Sequence, residues 1–186
     1  VGLAILLTEL NMRILVTGAS GFVGCALLKR LVNSGFEVIA AIRNIHGSPC
    51  PDVVEIRFVG DLTDPGADWE GAISDVDVIA HLAGRAHIMD DPEASARAYH
   101  AVNVAGTVRL AKAARRKGVK RFVYISSVKA MGEETPPGIS WDENSPLQPE
   151  DPYGRSKLEA EQVLQKMWGE DGFPYVVLRP PLIYGP

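Results

Sequence analysis

Two sets of residues in this sequence are spaced for chemistry. The first is Gly18-Ala19-Ser20-Gly21-Phe22-Val23-Gly24. It follows a run of strand-forming residues, Arg13 to Thr17, and opens a stretch of helical periodicity, so it marks a strand-to-helix turn. A pyrophosphate can lie against the free amides and positive dipole end of a helix N-terminus only where no side chain blocks the backbone. Gly18 permits the tight turn, Gly21 the close approach, and Gly24 the packing of helix on strand. The spacing is G-x-x-G-x-x-G rather than G-x-G-x-x-G, and an ordinary strand-to-helix turn is the alternative reading. The second set is Tyr153 and Lys157, four apart in a helical stretch and therefore on one face. Moving a tyrosine pKa from about 10 towards 7 takes roughly 4 kcal/mol of preference for phenolate. A cation about 4 Å away supplies that order at an effective dielectric of about 20, which would let the phenol take and return a proton. Tyr-x-x-x-Lys alone is common by chance on surface helices, and gains weight only behind a phosphate-binding turn.

Such groups need a scaffold, and the chain supplies one by alternation. Strand candidates are Arg13 to Thr17, Glu37 to Ile42, Glu55 to Val59, Val76 to Leu82, Arg121 to Ser126 and Tyr175 to Arg179. Most are apolar on both faces, as strands covered on each side by helices should be. Helix candidates run from Phe22 to Ser34, Glu93 to Lys117 and Tyr153 to Trp168, with a weaker one at Trp69 to Ser74. Gly35 and Gly118 sit where C-terminal caps belong. Pro136, Pro137, Pro146, Pro149 and Pro152 keep the stretch from Met131 to Pro152 out of any helix or central strand, so it reads as a long loop over the carboxyl edge of the sheet. The pattern predicts an α/β fold, a Rossmann-like doubly wound parallel sheet with helices on both faces.

Composition narrows the field. A chain of 186 residues with 46% hydrophobic content can bury one sizeable core and is too short for two full domains. A net charge of -4, with bases scattered among acids, argues against nucleic-acid binding. The two cysteines, Cys25 in a helix candidate and Cys50 in a loop, suggest neither a metal site nor a disulfide framework and fit a reducing, cytoplasmic setting. Residues 1–11 read as an extension ahead of a domain spanning 12–186, with Met12 as a natural start. The apolar opening falls short of the roughly 20 residues that span a bilayer and lacks the features of a secretory signal.

With Tyr153-Gly154-Arg155-Ser156-Lys157 joined to the glycine turn, Met12 through Pro186 resembles the extended short-chain dehydrogenase/reductases. The likeness is greatest to the nucleotide-sugar 4-epimerases and 4-ketoreductases of the NAD-dependent epimerase/dehydratase family. Thr17 to Gly24, Asp61-Leu62, His81-Leu82-Ala83-Gly84, Asn103, Ser126-Ser127, the Tyr/Lys pair and Arg179-Pro180-Pro181-Leu182-Ile183-Tyr184-Gly185-Pro186 carry it. The resemblance implies NAD(P), bound by Gly18, Ser20, Gly21, Phe22, Val23, Gly24, Leu82, Ala83, Gly84, Asn103, Lys157 and Pro180. It implies Ser127, Tyr153 and Lys157 as the catalytic set, with Ser127 on the reacting oxygen and Tyr153 moving the proton as hydride passes to or from the cofactor, whose oxidised ring adds to the positive charge. Asp61 and Leu62 match the family's adenine-binding pair, although an Asp starting a turn would look the same. Asn103 matches a position that supports the site, or else makes a helix–helix hydrogen bond. His81 reads as a satisfied sheet residue rather than a catalyst.

The residue ending the second strand selects the cofactor. NAD-selective folds place an acid there, whereas here Ile42 is followed by Arg43, whose guanidinium suits a 2'-phosphate, so the reading leans to NADP. A solvated Arg leaving a strand is the alternative. Dehydratases of the family carry acids just after the catalytic Ser or Thr, and here Val128 and Lys129 stand there, which counts against elimination. Met131 stands where the family often has Tyr, and Leu182 where many epimerases have an Asn on the substrate diphosphate. The expected activity is epimerisation at C4 of a UDP-linked hexose. A 4-ketoreductase is the alternative, and a non-catalytic dinucleotide-binding regulator is the reading from another class. Further expectations are a substrate domain beyond Pro186, little turnover without it, no membrane partner, and a homodimer through the two long helices, whose apolar faces could equally just cover the sheet.

Overall fold

The computed structural model describes residues 12–43, 55–86, 92–135 and 137–185. Cys50 and residues 1–11 lie outside them. Six strands, β1 (Arg13–Thr17), β2 (Glu37–Ile42), β3 (Glu55–Phe58), β4 (Val78–His81), β5 (Arg121–Ile125) and β6 (Tyr175–Leu178), form one sheet in the order β3-β2-β1-β4-β5-β6. Every pairing is parallel, with Ile14 opposite Val38 on one side and Val78 on the other. The order reverses beside β1, so the carboxyl ends of β1 and β4 flank the crevice where ligands bind in folds of this topology.

The helices among the described residues are α1 (Phe22–Asn33), the short α2 (Trp69–Ala72), α3 (Pro92–Tyr99), α4 (Thr107–Arg116) and α5 (Pro152–Asp171). Alternate strand residues feed two cores. Ile14, Val16, Val38, Ala40 and Ile42 pack with Leu28 of α1. Leu15, Ile39, Ile79, Phe122 and Tyr124 pack with Leu110 and Ala111 of α4 and Ala160, Leu164 and Met167 of α5. Burying a side chain of this kind is worth about 2 kcal/mol, so the period-two alternation fixes which helix covers which face. On the α1 side, Val123, Ile125 and Val176 are only half-buried and Leu178 is exposed.

Helix ends follow local chemistry. Gly35 and Gly118 take φ of 83° and 70° and complete six-to-one turns, with the amides of Phe36 and Val119 bonded to the carbonyls of Leu31 and Ala114. Two helix expectations are corrected. The helix expected to end at Trp168 continues to Asp171, held by the Arg115–Asp171 ion pair at 2.8 Å and stopped by Gly172 at φ 71°. The helix expected to run unbroken from Glu93 to Lys117 widens over His100–Gly106 into a π-helical segment before α4 begins. Thr107 donates to the Asn103 carbonyl at 2.6 Å within that stretch, and such widened turns recur where a helix must aim a side chain.

Candidate active site

The glycine turn closes as the sequence requires. Gly18 has φ 67°, and a Cβ there would lie 2.7 Å from the Ala83 nitrogen, so any side chain would push β1 away from the end of β4. A Cβ on Gly24 would overlap the Gly18 carbonyl oxygen. The Gly21 amide bonds to that same oxygen at 2.9 Å, and no side chain caps α1, which leaves its first-turn amides facing outward.

A cavity of about 430 Å³ opens above the carboxyl ends of β1, β2 and β4. Thr17, Gly18, Ser20, Gly21, Arg43, Asp61, Leu62, Leu82, Ala83 and Gly84 line it, as do Gly60, Trp69, Arg85 and Val102, which the sequence did not single out as site residues. Its volume lies within the usual range of small-molecule sites. Other expected cofactor residues stand elsewhere. Phe22 and Val23 line a second hollow with Ile183, Tyr184 and Gly185. Gly24 is buried. Pro180 accepts from the Val128 amide at 3.0 Å and lines neither space. Asn103 and Lys157 are buried behind Gly84, whose added Cβ would meet them at 3.2 and 3.4 Å.

Arg43 and Asp61 face each other at the cavity rim, Nη1 to Oδ2 at 3.4 Å. Asp61 also accepts from the amide and hydroxyl of Thr63 at 2.8 and 2.7 Å, and these bonds hold its carboxyl below the usual range. The Asp61 carboxylate therefore builds a turn and pairs a cation at once. Arg43 keeps a side chain 74% exposed.

Three groups converge past Gly84. Ser127 stands two residues past β5 and caps the 3₁₀ turn Val128–Ala130, its oxygen accepting from the Lys129 amide at 3.2 Å. Its hydroxyl faces the Tyr153 phenol and favours the phenolate. Lys157, 5% exposed, donates to the Ile125 carbonyl at 2.8 Å, and its nitrogen lies 5.9 Å from the Tyr153 ring centre and 4.9 Å from that of Tyr124. One expectation is corrected here. Burial pushes the Tyr153 phenol above its ordinary value, and the Ser127 hydroxyl only partly opposes this, so the chain alone does not lower it. Burial lowers the Lys157 ammonium to about 8, with the Glu161 carboxylate acting against that fall.

Other residues hold this group, and the roles of Asp151 and Gly154 among them were not legible as such. Asp151 caps α5, accepting from the Gly154 amide at 2.5 Å, and Pro152 follows at the first helical position. The Asp-Pro pair was the available signal. Gly154 brings α5 against the 3₁₀ turn, since a Cβ there would overlap the Lys129 carbonyl oxygen. Asn103 exchanges two bonds with the Arg85 backbone, at 2.8 and 3.0 Å, and donates to Ser156 at 3.0 Å, tying the loop after β4 to α5. His81 is fully buried between Thr17 (2.7 Å) and Thr107 (3.0 Å). Thr107 spends its proton on the Asn103 carbonyl, so it accepts from His81 Nε2–H while Nδ1 accepts from Thr17. Burial, with Lys157 adding to it, lowers this imidazole to about 3.

The sequence pattern of the NAD dependent epimerase/dehydratase family matches residues 14–186. A UDP-glucose 4-epimerase of Vibrio cholerae is 42% identical over 175 residues, covering 93% of this chain and 52% of its own length. A dTDP-D-glucose 4,6-dehydratase of Mus musculus is 31% identical, with 94% and 51% covered. Among solved structures, the UDP-glucuronic acid 4-epimerase from Bacillus cereus in complex with NAD superposes with a TM-score of 0.78 at 28% identity, over 94% of this chain and 58% of that one. The Thermus thermophilus UDP-glucose 4-epimerase complex with NAD gives 0.78 at 30% identity, with 90% and 54% covered. The chain thus spans about half the length of the curated relatives it matches.

Proposed function

The chain belongs to the NAD dependent epimerase/dehydratase family, and from that premise we propose that it forms the cofactor-binding part of a nucleotide-sugar epimerase acting at C4 of a UDP-linked hexose. The observation that carries this is the meeting of Ser127, Tyr153 and Lys157 beside a backbone-walled cavity. A nicotinamide dinucleotide is supported by the bare backbone that walls the cavity at Gly18, Gly21, Ala83 and Gly84, where a pyrophosphate and ring can approach closely. The ligand we propose is NAD, as in the similar solved structures, with Arg43 offering the 2'-phosphate of NADP a place as well.

When bound, that group supplies the hydride acceptor and donor. Everything else falls to the chain. The Ser127 hydroxyl holds the reacting sugar oxygen, and Tyr153, as the phenolate that the positive charge of a bound oxidised cofactor would favour over the buried phenol, takes its proton and later returns it. Lys157 sets the local positive charge from beneath, shielded from water. Elimination would need a free carboxylate beside Ser127. Lys129 occupies that place, and it holds Glu133 and Asp151 at 2.8 and 2.9 Å, so a dehydratase is disfavoured. A 4-ketoreductase is the second reading, supported by Leu182, which is 86% exposed and offers no hydrogen bond to a diphosphate. A regulator without turnover would have no use for Ser127, Tyr153 and Lys157 brought together. We also propose a homodimer through the long helices, near the exposed Trp168, checked by sedimentation.

The decisive experiment substitutes Tyr153→Phe in the whole protein and follows UDP-hexoses and their 4-keto forms, resolving each product. Turnover should fall about 10²- to 10⁴-fold with dinucleotide affinity unchanged. Undiminished turnover would remove the enzymatic claim.

A further inference from the structure

Behind the proton-transfer group lies a buried carboxylate that the reading above does not use. Glu161 is 5% exposed, one helical turn beyond Lys157 and two beyond Tyr153 on the same face of α5. It accepts from Arg179 through Nε at 3.1 Å and Nη2 at 2.7 Å, and from the Ser126 hydroxyl. Each partner continues directly into the site. Ser126 precedes Ser127, and Arg179 precedes Pro180, whose carbonyl receives the Val128 amide at 3.0 Å.

We infer that Glu161 is a positioning residue for the proton-transfer group: its carboxylate fastens the end of β5 and the segment after β6 onto α5, and is the counter-charge to the Lys157 ammonium. A buried ion pair gains little in net stability over apolar packing, so its retention here is better explained by what it orients. Lys157 faces His81 from β4, Tyr124 from β5, and Tyr153 and Glu161 from its own helix. Glu161 is the anionic member of that set, since burial keeps Tyr124 and Tyr153 protonated and His81 neutral. Tyr175 and Arg179 face Glu161 from the β6 side.

The inference rests on the proposed proton transfer, yet its first test needs no turnover. The ε-carbon resonance of Lys157, assigned by its loss in Lys157→Arg, is titrated by NMR in the chain without ligand. The wild-type midpoint is expected at about 8. In Glu161→Gln it should fall by about one pH unit or more, because a lost anion disfavours the ammonium. Glu161→Asp, which keeps the charge, should restore it. An unmoved midpoint in Glu161→Gln overturns the counter-charge. Should that variant not fold, Arg179→Gln must raise the midpoint, and no rise overturns it equally. Ser126→Ala leaves the charge in place, so the midpoint should stay while kcat in the whole protein falls several-fold at constant KM. Unchanged kcat there overturns the fastening role. If Tyr153→Phe retains turnover while Glu161→Gln still moves Lys157, the proposed function fails and the electrostatic arrangement stands.

Discussion

The two edges of the sheet solve opposite problems. At the amino edge, Arg13 pairs with Glu37 at 3.4 Å, Glu55 at 2.5 Å and Asp75, while its amide donates to Asp77 at 2.9 Å. Arg57 holds Glu55 and Asp75 at 2.7 Å each, and Lys120 holds Asp77 at 2.8 Å. These charges neutralise one another across the starts of β1 to β5 and close the sheet. At the carboxyl edge the strands run into Gly18, Gly60, Ala83 and Ser127, where backbone and small side chains leave room for a ligand. Two of its charges, Lys157 and Glu161, are buried rather than solvated. One edge is closed by its own ion pairs, and the other, though its charges are paired as well, is walled by bare backbone that leaves space for a ligand.

Acid titration should separate the edges most strongly. His81 has an ordinary value of 6.5 and a folded value of about 3. With the folded value depressed, its contribution is whole above pH 6.5 and is lost as pH falls towards 3, on the order of 5 kcal/mol in all. Glu55 is held down by its Arg57 bond, and Asp77 chiefly by its Lys120 bond, so the amino edge gives way only as pH falls below the ordinary carboxylate range. Urea melts at a series of pH values should therefore show early loss that His81→Gln flattens and Arg13→Met does not. An identical early loss in His81→Gln would erase the distinction.

The next effect is Gly18→Ala. A left-handed residue gaining a Cβ against Ala83 should cost about 3 kcal/mol and abolish dinucleotide binding, measured by denaturation and calorimetry on the same sample. Arg13→Met should cost about 1.5 kcal/mol, since its partners are half-exposed, and leave binding intact. Weakened binding in that variant would show the edges to be coupled. The smallest effect belongs to Arg43→Ser, which should lower NADP affinity about tenfold while NAD affinity holds or improves as Asp61 is released. Equal changes for both ligands would take Arg43 out of cofactor choice.

Much of the carboxyl edge was legible because it is written in glycines and in one helix. Gly18 and Gly24 can be read locally, since a turn that admits no Cβ admits only one residue type. Tyr153 and Lys157 share a face because four residues make one turn. The strand and helix order came from periodicity, and most bounds moved by only a residue or two. Less could be foreseen about the widened turn at His100–Gly106, because the bonds from Asn103 to Arg85 and Ser156 that accompany it join residues 18 and 53 positions apart.

By itself the sequence determined what local rules govern: where the backbone must be bare, which residues alternate across strands, and which side chains ride together on a helix. The tertiary structure decided which charges meet. Arg43 faces Asp61 across 18 residues and Ser126 reaches Glu161 across 35, pairings made only when strands and helices dock. Whether a phenol is raised or an ammonium lowered follows from burial and from neighbours distant along the chain, so a motif can name the reacting groups while the fold sets their protons.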